Sequence, residues 1–312
     1  MNGILICGGL LIDRYLLVDQ YPGRGGDGYI LDSFDVVGGC TVNVARTVKN
    51  LGATPYMVSS VGNDPWGNEI MDFMKKEQFP ANCVIQGEGS TGYCLVFLEP
   101  DGERTFLTFK GCEGIFSDAL ISEKAENCCR TAVVTGYYLL DPAAMKLIEK
   151  LKKFKEWGFQ IIFDPSPLVD KIQADLLEEM MKISDVIIPN RSEAKVLAGN
   201  KELEQWAIAC SERGTAMIIK NGSQGGILYK KGKKIPYDAV QVDAIDTTGA
   251  GDSFTGSIAY SLLSGIPLEK GVLLAASSAS VVATIKGPHG NFSVSQLTEE
   301  AQRIWREYQN VR

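Results

Sequence analysis

The run Asp246-Thr247-Thr248-Gly249-Ala250-Gly251-Asp252-Ser253-Phe254 sets three small residues directly ahead of a carboxylate. After it, Phe254, Ile258, Ala259, Leu262 and Leu263 recur at helical spacing; before it, Val240, Val242 and Ala244 alternate with Gln241, Asp243 and Ile245 and predict a strand. The glycines would then occupy a strand-to-helix turn. Backbone without side chains lets an anion approach there, and the first N–H groups of the helix point outward, unpaired, at the positive end of its dipole. That geometry suits a phosphoryl group. Asp252, in the first turn, would repel such a group unless it had a task of its own, and the task that fits is taking a proton from an attacking hydroxyl. The plainer alternative is that the glycines only permit tight packing and Asp252 is an N-terminal capping acid. A dinucleotide-binding turn shares the GxG spacing, but it belongs to an early βαβ unit with an acid about 20 positions on, whereas this run lies about four-fifths along the chain.

Three further constellations carry ligand-binding chemistry. In Gly38-Gly39-Cys40-Thr41-Val42-Asn43-Val44-Ala45, glycines again open a helix, and Asn43 can donate and accept hydrogen bonds near its start. Asp13 closes the first apolar run, at the edge of an open sheet where ligands gather, and a carboxylate there could accept from two hydroxyls of one sugar. The alternatives are a solvent-facing acid at a strand end and an ordinary helix-start residue. Asn190-Arg191-Ser192-Glu193 and Lys220-Asn221-Gly222-Ser223-Gln224-Gly225 each follow a strand. Asn190 and Glu193 share one helix face, either to order the water shell of a metal bound to phosphates or as a capping pair.

The elements that must position these residues read as α/β. Candidate strands are Ile4 to Leu11, Tyr56 to Val61, Thr131 to Thr135, Gln160 to Phe163, Val186 to Ile188 and Ala216 to Lys220. Several are apolar throughout, as parallel strands between two helix layers must be. Asp64-Pro65 and Asp141-Pro142 each place a capping side chain before a proline at the first helical position. Met145, Leu147, Ile148, Leu151 and Phe154 then form a helical stripe, with a lysine cluster on the solvated faces. Two segments break the alternation. Tyr15 to Val37, with glycines at 23, 25, 26 and 28, predicts irregular or short-stranded material; Tyr93 to Leu98, a Pro100-Asp101-Gly102 turn and Arg104 to Phe109 predict a hairpin. The two could pair into a small sheet beside the main one, with a lid as its natural use. Lys230, Lys231, Lys233 and Lys234 around Gly232 predict an exposed hairpin turn, and His289 reads as an incidental loop residue.

Composition excludes several classes. The 312 residues are 45% hydrophobic and 22% charged, ordinary for a folded protein. With 31 basic against 38 acidic residues the net charge is −7, the opposite of the field a nucleic-acid binder presents. No apolar run approaches the roughly 20 residues that cross a bilayer, and no basic segment leads one, so neither a membrane span nor a signal peptide is expected. Eight scattered cysteines without a CxxC pair, and a single histidine, predict reduced thiols in a cytoplasm rather than a metal site. No P-loop and no HRD or DFG kinase set is present.

Taken in this order, the motifs resemble the ribokinase-like (PfkB) family of carbohydrate kinases. The resemblance rests on Gly38 to Ala45, Asp246 to Phe254, Asn190 to Glu193, Gly222 to Gly225 and Asp101-Gly102-Glu103-Arg104-Thr105. It implies a single domain over residues 1–312: a three-layer α/β sandwich with a mainly parallel central sheet, and a small β lid built from about 14–37 and 91–110. It implies ATP-dependent phosphorylation of a sugar hydroxyl with Mg²⁺, Asp252 as base and Gly249, Ala250 and Gly251 as anion hole. Asp13, Gly39 and Asn43 would hold the sugar. Asn190, Glu193, Lys220, Gly222, Ser223 and Gly225 would serve the nucleotide and its magnesium. A monovalent cation such as K⁺ would sit at Asp246 and Thr248, with Gly287 and Ser293 on the later loop. Cys40-Thr41-Val42 replaces the Lys-Gly-Ala usual in ribokinases, which opens the substrate to fructose, a sugar acid or a nucleoside. For a nucleoside, Tyr29, Phe34, Tyr137 and Tyr138 offer stacking faces. A non-catalytic sugar or nucleotide sensor is the alternative from another class. Apolar lid residues Ile30, Leu31, Phe34, Phe97, Phe106 and Phe109 predict a homodimer through the lid.

Overall fold

The computed structural model describes residues 2–100, 104–141, 143–287 and 290–309. Strand β1 (Gly3–Cys7) shows why its residues form a buried strand: Ile4 and Ile6 pack into one hydrophobic core, Leu5 and Cys7 into another on the opposite face. The first apolar run is therefore not one strand. It breaks at Gly8-Gly9, and the chain leaves the main sheet to begin β2 (Leu11–Val18), so Asp13 lies inside β2 rather than at the end of β1. β3 (Ile30–Gly38) returns antiparallel to β2, so the segment expected to be irregular or short-stranded carries the end of β2 and most of β3, joined by residues 19–29 without regular structure.

Six strands continue the main sheet from β1: β4 (Thr54–Gly62), β5 (Val84–Gly87), then, beyond the hairpin β6 (Tyr93–Leu98) and β7 (Arg104–Phe109), β8 (Cys129–Thr135), β9 (Gln160–Asp164), β10 (Val186–Ile187) and β11 (Ala216–Lys220). The antiparallel hairpin of β12 (Gly226–Lys230) and β13 (Lys233–Tyr237) closes one edge, its turn at the expected lysine cluster. The order β13-β12-β11-β10-β9-β8-β1-β4-β5 is parallel from β11 to β5. The second sheet runs β3-β2-β6-β7, with β2 and β6 parallel, so the two segments that interrupt the alternation do pair.

Helices cover both faces of the main sheet. α1 (Cys40–Asn50) and α2 (Pro65–Lys76) pack on one side. α3 (Glu123–Cys128), α4 (Ala144–Glu156), α5 (Ala174–Ile183), α6 (Arg191–Ala198) and α7 (Leu203–Glu212) contribute to the core on the other. α8 (Ala250–Leu263), α9 (Leu268–Ala283) and α10 (Glu299–Gln309) complete the first layer. Asp64 caps α2, accepting from Gly67 N–H at 2.8 Å with Pro65 at the first position. Asp141 accepts from Ala143 N–H at 2.8 Å but α4 begins only at Ala144; Pro142, Asp101 and Gly102 of the two expected turns, Glu103 and His289 lie outside the described residues.

Residues 238–249 are not a strand. Val242 and Ile245 are exposed, and Ile245 and Asp246 donate their N–H groups to Ala283 O at the end of α9 instead of to a neighbouring strand. The alternation of Val240, Val242 and Ala244 had no sheet face to bury, and the segment instead runs along a cavity wall. Among the described residues no helix is long and apolar enough to cross a membrane, and all eight cysteines are free.

Candidate active site

A cavity of about 760 Å³ opens between the C-terminal ends of the parallel strands and the small sheet, the place where ligands of open α/β sheets bind. At its centre α8 begins. Its N-cap Gly249 has φ 77°, a left-handed conformation that costs glycine little, and supplies no capping side chain. Ala250 N–H turns back to Thr247 O at 3.2 Å, and the N–H groups that follow it in the first turn are left for a ligand. A Cβ built on Gly251 would meet only Lys220 Nζ, at 3.8 Å, so the turn borders open space with a cation beside it.

Asp252 follows in that first turn. Asn43 Nδ2, from the first turn of α1, donates to its Oδ2 at 2.8 Å, and one turn on the two helices are tied again by Thr47 Oγ1 donating to Ser253 Oγ at 3.0 Å. Burial pushes the Asp252 carboxyl up to about 6; the Asn43 bond opposes this, Asp164 adds to it and Lys220 offsets it. Asp164, the last residue of β9, accepts from Thr255 Oγ1 at 2.5 Å and pairs with Lys220 Nζ at 3.5 Å. An acid near neutrality, held by an amide, next to an anion-binding turn, can accept a proton from a bound alcohol.

Asp13 enters the cavity from the middle of β2, paired with Val36 on β3 and Cys94 on β6. Burial pushes its carboxyl up to about 7, against a hydrogen bond from Gly39 N–H, with the charge of Asp252 adding to the rise. Gly39 has φ 94° and ψ 154°, a region almost reserved for glycine, and a Cβ there would lie 2.4 Å from Gly9 O. Cys40 lines the same wall, and burial holds its thiol at about 12, so it is a neutral group. Lys110, Glu113 and Tyr137 complete this end; burial raises the Glu113 carboxyl, and its Oε2 is buried without a partner. Tyr137, 38% exposed, and the buried Tyr138 both line the cavity, whereas Tyr29 and Phe34 lie outside its lining.

At the opposite end Gly222, Ser223 and Gly225 join Val240, Val242, Ala276, Ala279 and Ala283 in a slot of small apolar side chains. Asn190 and Glu193 stand between the two ends as a full capping box: Asn190 Oδ1 accepts from Ser192 and Glu193 N–H, both at 2.9 Å, while Glu193 Oε2 accepts from Asn190 N–H at 2.8 Å. The capping alternative is thus realised, and both residues still line the cavity. Burial raises the Glu193 carboxyl, and Asn190 N–H and Lys220 hold it down in part.

Asp246 is buried just before the turn, its Oδ1 accepting from Thr248 N–H at 2.8 Å and its Oδ2 from Gly287 N–H at 3.0 Å. Burial works against its charge, but these bonds and Arg104 outweigh burial and hold the carboxyl below the usual range. Ser293 is not brought to this group; it opens a 3-10 turn and its hydroxyl engages Ser295 and Gln296. Sequence reasoning missed Asp164, Glu113 and Lys110. Asp164 had a signal, a carboxylate ending a parallel strand just before Pro165-Ser166-Pro167, while nothing local marks Glu113 or Lys110.

Residues 3–293 match the family model of the pfkB family carbohydrate kinases. The chain is similar to an uncharacterized sugar kinase, YegV, of Escherichia coli (strain K12): 29% identical over 296 residues, 92% of this chain and 90% of that protein. It shares its fold with Arabidopsis thaliana ribokinase complexed with ribose and ATP, at a TM-score of 0.78 and 22% identity over 97% of this chain and 98% of that one. It likewise shares it with a Burkholderia thailandensis nucleoside kinase in complex with inosine, at a TM-score of 0.78 and 19% identity over 98% of this chain and 97% of that one.

Proposed function

The chain belongs to the pfkB family of carbohydrate kinases, and from that premise we propose that it transfers the γ-phosphoryl group of ATP to a hydroxyl of a small carbohydrate. One observation carries the reading: Asp252, held by Asn43, adjoins the open helix start at Gly251, with Asp13 in the facing wall of the same cavity.

Asp13 and Asn43 hold the sugar, the first as acceptor for hydroxyls, the second bridging sugar and base. As the hydroxyl oxygen bonds to the γ-phosphorus, the bond from that phosphorus to the bridging oxygen of ADP breaks, and the hydroxyl proton passes to Asp252. The helix start at Gly249–Gly251 stabilises charge on the equatorial oxygens, through Gly251 N–H and the helix dipole rather than Ala250 N–H, which Thr247 O engages, and Lys220 Nζ adds a positive charge beside them. The slot between Gly222–Gly225 and the alanines of α9 takes the nucleoside part of ATP. Asp164, Asn190 and Glu193 line the cavity and would hold, through water, a magnesium ion bound to the phosphates. Bound there, Mg²⁺ would neutralise phosphate charge.

The small sheet acts as the lid of a single catalytic unit. Its outer residues Tyr29, Ile30, Leu31 and Leu107 are 78%, 58%, 65% and 51% exposed, and covering them against a second copy gives a homodimer, checked by light scattering at micromolar concentration. Eight free thiols suit a cytoplasmic setting. A nucleoside is the second acceptor class, favoured by the exposed Tyr137 ring in the cavity. The test is ADP release measured over pentoses, hexoses, sugar acids and nucleosides with Mg-ATP. Turnover on a carbohydrate supports the proposal, a preference for nucleosides moves it to the second reading, and no acceptor-dependent ADP release overturns both.

A further inference from the structure

The family resemblance implies a monovalent cation at Asp246 and Thr248, and the residues there do not fit one. Arg104 Nη1 lies 2.9 Å from Asp246 Oδ1 and donates to Thr248 Oγ1 at 3.0 Å, with the arginine side chain only 19% exposed. A guanidinium has donors and no acceptors, so it offers a metal ion nothing, takes the oxygens such an ion would need and opposes it with like charge. The remaining oxygen of Asp246 is engaged by Gly287 N–H, and Ser293, the other implied ligand, lies elsewhere.

Arg104 also comes from a different part of the fold. It is the first residue of β7, paired with Leu98 of β6 in the small sheet, whereas Asp246 and Thr248 lead directly into the helix start at Gly249. We infer that Arg104 is the resident cation of this turn and a positioning residue for the anion hole, so that seating of the small sheet, rather than potassium, sets the turn. Raising the sheet withdraws the charge from Asp246 and frees the turn; lowering it restores both. Lid closure and assembly of the anion hole are then one event, and the enzyme works without added monovalent metal.

This rests on the kinase reading for its effect on turnover, but not for its effect on ion binding, and the test uses both. Full-length wild type, Arg104→Ala and Arg104→Lys are compared in potassium, sodium and tetramethylammonium chloride at about 0.1 M, an ionic strength at which general screening is matched. Wild type is expected to melt within about 1 °C in the three salts and to turn over within about twofold. Arg104→Ala is expected to lose roughly tenfold or more in tetramethylammonium, as for removal of a charged hydrogen bond. It should regain part of that in potassium and melt higher there, because Asp246 now binds the ion. Arg104→Lys keeps the charge and stays independent of potassium. Activation or a specific melting rise of wild type by potassium overturns the inference, as does an alanine variant with wild-type turnover in tetramethylammonium. Should Arg104→Ala not fold, potassium dependence of the lysine variant overturns it and independence supports it. Should no acceptor be phosphorylated, the kinase reading fails while the melting comparison still decides the ion question.

Discussion

Replacing Asp252 by asparagine separates the chemistry of the site from the electrostatic cost of building it. The side chain keeps its shape, and its amide oxygen can still accept from Asn43 Nδ2, which now lies 2.8 Å from Oδ2. The proton acceptor is lost, and with it roughly a thousandfold in turnover, the middle of the range for a positioned general base. Stability moves the other way. The folded carboxyl titrates at about 6 against an ordinary 3.8, so the native state binds more protons than the unfolded chain between those values and wild-type stability falls as pH rises through that window. Above it the ionised carboxylate costs up to about 3 kcal/mol, tempered because Asp252 borders the cavity. For a chain of this length that corresponds to a rise in Tm of about 2–4 °C for the variant at pH 8, shrinking to about half at pH 5 and vanishing below the ordinary value. Acceptor-dependent ADP release, ATP affinity by calorimetry and melting at pH 5 and 8 read the three effects. Turnover within tenfold of wild type removes Asp252 from proton transfer, and a variant that melts lower at pH 8 refutes the claim that burial disfavours the charge.

Gly251→Ala puts a methyl into open space next to Lys220 Nζ; the fold should melt unchanged or slightly higher, since alanine suits a helix better than glycine. Turnover should fall about a hundredfold because the methyl obstructs the anion hole. In wild type, kcat/KM should decline as pH falls through about 7 and about 6, where Asp13 and Asp252 protonate, with a logarithmic slope approaching two on the acid side; a flat profile to pH 5 refutes both assignments. Asn43→Ala removes the bond that holds the Asp252 carboxyl down, so the limb due to Asp252 should move to higher pH, and an unmoved limb in the pH–rate profile would contradict that bond. Gly39→Ala forces a side chain into φ 94° and against Gly9 O; a loss of about 3 kcal/mol or more is expected by urea unfolding, and a stability within 1 kcal/mol of wild type would contradict the described turn.

What the residues announce by themselves is whatever depends on a few neighbours. Alternation and apolar runs placed the parallel strands, as with Gln160 to Phe163 and Ala216 to Lys220, and Asp64-Pro65 marked a helix start, because strand faces and caps are decided within one or two turns of chain. The same logic failed at Val240 to Ala244, where alternation is present but no neighbouring strand is, and at Asp13, which two glycines carry into the second sheet. The glycine turn with Asp252 was legible for the same local reason, and so was Asn190 with Glu193. Only the tertiary structure decided which of these groups meet: Asn43 reaches Asp252 across 209 positions, Arg104 reaches Thr248 across 144, and Asp164 reaches Thr255 across 91. Those meetings follow from strand order and the way the small sheet sits over the large one. Burial acts with them, turning two ordinary carboxyls into groups that titrate near neutrality, a property that depends on surroundings gathered from the whole chain.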